Sequence, residues 1–131
     1  MATDTTTTRE IKREEWPDFF DGFSRRHEGW LVTIEVLDKE LGDQIEVENK
    51  ALKGIVAERK RDPRVIDIFV WNKPDEDSAH IIDKPTHVWV EETAEGAEAA
   101  LEIESEDHGT TLLTFKSAAL PETVDGVAPE R

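Results

Sequence analysis

From Arg13 to His27 the apolar residues Trp16, Phe19, Phe20 and Phe23 recur at spacings of three and four, which sets them on one face of a helix opposite a charged face. Pro17 is tolerated only in the first turn, where its missing N–H has no intrahelical partner, so the helix is expected to begin just ahead of it. Glu14, Glu15 and Asp18 then lie at the positive end of the helix dipole and Arg25, Arg26 and His27 at the negative end, with Gly29 as a left-handed stop. Past Gly29 the period shortens from about 3.6 residues to about 2. Trp30, Val32, Ile34 and Val36 alternate with Leu31, Thr33, Glu35 and Leu37, which predicts a strand with one apolar face. Further strands are predicted over residues 44–48, 52–60, 65–72, 79–82, 86–92, 99–105 and 110–116. Asp62-Pro63, Lys73-Pro74-Asp75, Asp83-Lys84-Pro85 and Asp107-His108-Gly109 supply the reversals between them. Residues 94–100 are helix-friendly, so a helical turn is expected before the strand near Leu101.

Short strands joined by short loops imply antiparallel pairing. The expected fold is mainly β: a small antiparallel barrel or sandwich of about seven or eight short strands, with one N-terminal amphipathic helix packed on it. Residues 1–10 read as a flexible leader, because a run of Thr offers nothing to bury, residues 11–119 as a single globular domain, and the Pro-, Gly- and Ala-rich residues 120–131 as a flexible tail.

Composition narrows the chemistry. With no Cys in 131 residues, disulfides, thiolate zinc sites, iron–sulfur clusters and Cys nucleophiles are excluded. A net charge of −15 repels phosphate backbones, so no nucleic-acid partner is expected. No apolar run is long enough to span a bilayer, and the first residues form neither a basic nor an apolar signal segment, so no membrane partner and a bacterial cytoplasmic setting are expected.

The segment R-E-I-K-R-E-E-W-P-D-F-F-D-G-F-S-R-R-H-E-G at Arg9 to Gly29, with W-L-V-T-I-E-V-L after it, resembles a family of small bacterial proteins known as a domain of unknown function, number 5335. The likeness continues through A-L-K-G-I at Ala51, E-G-A-E-A-A-L-E-I-E-S at Glu95 and T-T-L-L-T-F at Thr110, and covers most of the chain. Lys12 departs from the Pro that the family favours at the helix start, which bears on cap geometry alone. The resemblance implies one compact domain and no activity, cofactor or catalytic residue.

Standard catalytic signatures are absent: there is no G-x-S-x-G, Gly-rich phosphate loop, G-x-G-x-x-G or H-E-x-x-H. The carboxylates of residues 74–78 read as a solvated turn, since the loop is too short for a calcium-binding pattern. His80 and His87 flank residues 83–85, and a hairpin there would set His80 opposite Val88 and point the two imidazoles to opposite faces, so no metal is expected. Arg59, Lys60, Arg61 and Arg64 form a basic cluster that reads as a soluble hairpin tip, and the acidic stretch 91–107 reads as a solvated face. The strand near residues 65–71 is more informative, because both of its faces are apolar. Phe69 and Trp71, with Asp67 between them and with His87 and Trp89 from a nearby strand, are the candidate partner- or ligand-binding residues. The simplest cover for them is the helix face of Trp16, Phe20 and Phe23. The chain is therefore read as a small acidic binding or interaction module, acting on an unknown protein partner or on itself, with no cofactor and no assigned catalytic residue. The alternative is a small-molecule-binding enzyme with a pocket around Asp67 and His87, which requires those two groups within hydrogen-bond reach.

Overall fold

The computed structural model describes residues 6–38, 40–106 and 109–115. In chain order it consists of β1 (Thr6–Ile11), a 3₁₀ turn (Arg13–Glu15), α1 (Trp16–His27), β2 (Leu31–Asp38), β3 (Gly42–Ala57), β4 (Val65–Lys73), β5 (Glu76–Asp83), β6 (Pro85–Thr93), β7 (Glu98–Ser105) and β8 (Gly109–Phe115). The strands form one antiparallel sheet in the order β1-β6-β7-β8-β2-β3-β4-β5, which is not closed into a barrel and is not split into the two sheets of a sandwich. Its two edges are β1 and β5. The sheet folds back on itself, because β5 at one edge passes to β6 near the other through Lys84 alone, and His80 of β5 comes within 3.5 Å of the buried Thr111 of β8.

The concave side holds the core. Val32, Ile34, Leu52, Ile55, Ile66, Ile68, Val70, Ile82, Val88, Val90, Leu101, Ile103 and Leu113 are all buried there with Trp16, Phe20 and Phe23 of α1. A helix of this length is marginal alone in water, and full burial of each large apolar side chain contributes roughly 2–3 kcal/mol, so the stripe forms the helix by docking it. Specific contacts fix the docking. Trp16 Nε1 donates to Ile11 O at 2.9 Å, and Ser24 Oγ accepts from Ile55 N at 2.8 Å where β3 bulges. Arg13 donates to Pro63 O at 2.8 Å and Pro85 O at 3.0 Å while its guanidinium lies over the Trp16 ring, tying the helix start to the loop before β4 and to the first residue of β6. Gly29, at φ +86°, ends the helix as expected. Lys12 takes φ −65°, a value proline shares, so its departure from the family pattern leaves the helix entry unchanged.

Several sequence expectations are corrected. Residues 6–10, assigned to a flexible leader, form with Ile11 an edge strand whose backbone pairs with β6 from Thr6↔Thr93 to Ile11↔Val88. Residues 1–5 and the tail 120–131 lie outside the described residues. The segments 44–48 and 52–57 belong to a single long strand, bent near Asn49 at φ +53°, and residues 58–60 lie beyond its end. Residues 83–85 make a corner instead of a hairpin: β5 pairs with β4, and β6 with β1 and β7, so His80 lies opposite Ile68 and Val88 opposite Ile11 and Ile103. No helical turn precedes β7; Gly96, at φ +90°, reverses the chain and the strand begins at Glu98.

Candidate functional site

Because Ile66, Ile68 and Val70 face the core, the alternate residues Val65, Asp67, Phe69 and Trp71 of β4 face outward, on the convex side. The helix therefore does not cover them. Its aromatic face lies on the concave side against β3 and the core, and Phe69 and Trp71 are left half-buried by their strand neighbours alone. Asp67 sits between Val56 of β3 and Ile81 of β5, which pair with it directly. Both flanking side chains are turned to solvent, Val56 at 50% and Ile81 at 57% exposure. Between them the Asp67 Oδ1 atom is shielded from water and accepts no hydrogen bond from the described residues. Burial, and then the nearby Glu58 and Asp83 carboxylates, push the Asp67 carboxyl above its ordinary value. At the far end of the strand Lys53 lies 4.6 Å over the Trp71 ring and pairs with Asp77, whose carboxyl it holds below the usual range.

His87 and Trp89 are on the same convex side but elsewhere. In the sheet order β7, β8, β2 and β3 lie between β6 and β4, so the structure does not bring the two pairs of aromatic residues onto one strand neighbourhood. The His87 ring stacks on Trp89 at 5.2 Å, and its Nδ1 is 2.7 Å from Glu10 Oε2 of β1. Asp67 and His87 share no hydrogen bond. Three clefts of about 180, 240 and 380 Å³, beside Arg13, His80 and Glu40 respectively, contain neither residue.

The comparisons with known proteins can be set against this geometry. A family model described as a family of unknown function, DUF5335, matches residues 7–123. The chain belongs to the DUF5335 family. A protein of Aquifex aeolicus, itself uncharacterised, is 34% identical over 116 residues, covering 88% of this chain and 98% of the relative. No solved structure matches the chain. No specific activity comes to this DUF5335 member from these likenesses.

Two further features of the DUF5335 chain were invisible in the sequence. Glu98, one of eight acids in a stretch read as solvated, is almost buried and accepts both Arg26 Nη2 at 2.7 Å and Arg26 Nε at 3.0 Å. Its Oε1 also stands 3.5 Å from Nε2 of the buried His27, whose ring is enclosed by Phe23, Phe115 and Trp30. His27 Nδ1 lies 2.8 Å from the Phe23 carbonyl, which can only accept, so the proton of the neutral ring is on Nδ1. Burial lowers the His27 pKa and outweighs the Phe23 carbonyl and Glu98, which favour the cation. Three of the four cations in the basic cluster are engaged. Arg59 pairs with Asp18 and Asp21 of α1, Lys60 with Glu58 and Arg64 with Asp62. Among the described residues no group of three or more His, Asp and Glu is placed to hold a metal, and no helix is long and apolar enough to cross a membrane.

Proposed function

We propose that this DUF5335 member is a protein-interaction module that holds its partner on the convex face of β3, β4 and β5, around Asp67, Phe69 and Trp71, with His87 and Trp89 as a separate, second contact. The observation that carries this reading is the cross-strand row Val56–Asp67–Ile81, where two exposed apolar side chains flank a carboxylate oxygen that lacks a donor. Buried polar groups are nearly always paired, and a carboxyl with one shielded, unpaired oxygen at a surface rimmed by apolar side chains is a group that a partner's donor would stabilise on docking. A cytoplasmic setting belongs to the same reading, supported by a chain without Cys. The rival enzyme reading gains nothing from the geometry, since it needed Asp67 and His87 at one pocket floor.

A photo-reactive residue introduced in native cells at Ile81, and separately at Val56, tests the proposal. Both positions are expected to cross-link a protein other than this one, while the same residue at exposed Glu14 on the 3₁₀ turn is expected not to. Cross-links absent from both positions, or equally abundant at Glu14, would remove the basis for the module.

A further inference from the structure

The convex face of β3, β4 and β5 is laid out in rows that cross the three strands. Glu58, Val65 and Asp83 form the first: Val65 pairs with Asp83, and Glu58 N donates to Val65 O. Val56, Asp67 and Ile81 form the second, Phe69 and Ala79 the third, Trp71 and Asp77 the fourth. Negative charge is thus placed within an apolar surface, and Glu58 and Asp83 both act on Asp67. Three neighbouring cations are engaged elsewhere: Lys53 with Asp77 and the Trp71 ring, Lys60 with Glu58, Arg64 with Asp62. Among the described residues neither Asp67 nor Asp83 has an ion-pair partner. A second copy of the same face would set these carboxylates against their equals on a chain of net charge −15, and nucleic acid or an anionic bilayer would meet the same repulsion.

Resting on the interaction reading above, we infer that the occupant of this face is a segment of another protein that carries a Lys or Arg between apolar side chains. Its apolar side chains cover Val56 and Ile81, and its cation donates to the Asp67 carboxylate between them. Such a charge-assisted bond, closed off from water by an apolar rim, is the arrangement in which one ion pair contributes most to affinity and specificity. It also names the single feature a partner cannot lack.

The full chain, immobilised and panned against a displayed library of random peptides, tests the partner chemistry without knowledge of the natural partner. Sequences in which Lys or Arg is flanked by apolar residues are expected to be enriched. A synthetic peptide of that kind is expected to bind at least about tenfold more weakly to Asp67→Asn and to Ile81→Ser, and with unchanged affinity to Glu14→Ala. Circular dichroism of each variant confirms that the fold is intact, and both substituted side chains lie outside the core, so loss of binding reports the surface. Peptides that cross-link at position 81 yet lack a cation, or that ignore Asp67→Asn, would overturn the inference while leaving the interaction face standing. Absence of cross-links at both 81 and 56 would overturn both. A dimer of the parent chain that Ile81→Ser dissolves would identify a second copy as the occupant, and peptide binding that appears only after removal of residues 120–131 would identify the chain's own tail; either outcome overturns it.

Discussion

At Asp67 a carboxylate is held between two apolar side chains with one oxygen unsatisfied, and that arrangement costs the isolated protein stability. Burial and like charges raise its pKa in the fold, so its ionised form is destabilising above that raised value and the strain is relieved as pH falls through it. Asp67→Val would remove the unpaired charge and join Val56 and Ile81 into one apolar row. It is expected to raise the stability measured by urea denaturation at pH 7 by on the order of 1 kcal/mol while abolishing peptide binding, as when a strained functional group is replaced. A less stable variant would show that the carboxylate is held by a donor after all. His27 carries the opposite sign. Its folded pKa lies below the ordinary 6.5, so the stability it confers as a neutral ring is complete above about pH 6.5 and is lost as the unfolded chain takes up the proton at lower pH. Between pH 7 and pH 5.5 the parent is expected to lose more stability than His27→Asn, and equal slopes in urea midpoints would refute it. That Asp67, Phe69 and Trp71 share one face of their strand was legible in the sequence from its period-two alternation, whereas the cover expected from α1 was not found there. Glu98 and His27 were not, since only the tertiary docking of α1 brings residues 71 positions apart together.

At the scale of elements, periodicity revealed the helix and those strands that bury a face. It failed for β1 because Thr6 to Glu10 are exposed and only Ile11 is buried: the strand is made by backbone pairing to β6, which leaves no hydrophobic trace. The bend of β3 at Asn49 mimicked a turn, and the single residue between β5 and β6 mimicked a hairpin. A hairpin reading assumes that sequence neighbours pair, whereas a folded-over sheet joins neighbours at a corner and pairs them with others. The shared surface proposed for Phe69, Trp71, His87 and Trp89 rested on that assumption. The β1 finding reverses a practical expectation. Removal of residues 1–10 from a leader would be harmless, but removal of β1 uncovers the edge of β6 and its unpaired backbone groups, a template for aggregation. The truncated chain is expected to melt several degrees lower and to scatter light on heating, and a melting curve identical to the parent's would show that β1 contributes nothing.

For the whole molecule the governing quantity is charge. Thirty-one acidic residues face sixteen basic ones. Arg9, Arg13, Arg26, Lys53, Arg59, Lys60, Arg64 and Lys73 already sit against carboxylates, so half of the cations are committed and the excess acids repel one another. Added salt acts on both sets. It weakens the exposed ion pairs, each of which contributes about 0–1 kcal/mol, and it screens the net repulsion, which extends over the whole surface. Because the acids outnumber their partners, the second effect is expected to win. The melting temperature should therefore rise as KCl is increased from low concentration to 1 M, where the Debye length has fallen to about 3 Å. A neutral, excluded osmolyte separates screening from a general salting effect, since it strengthens burial without touching charge. The same titration is expected to loosen a basic peptide bound at Asp67, because that attraction is screened as the repulsion is. Stability and binding should thus move in opposite directions along one salt series. A melting temperature that stays flat or falls in KCl would mean that the acidic surface places no strain on the fold, and the charge excess would then have to be explained by the partner alone.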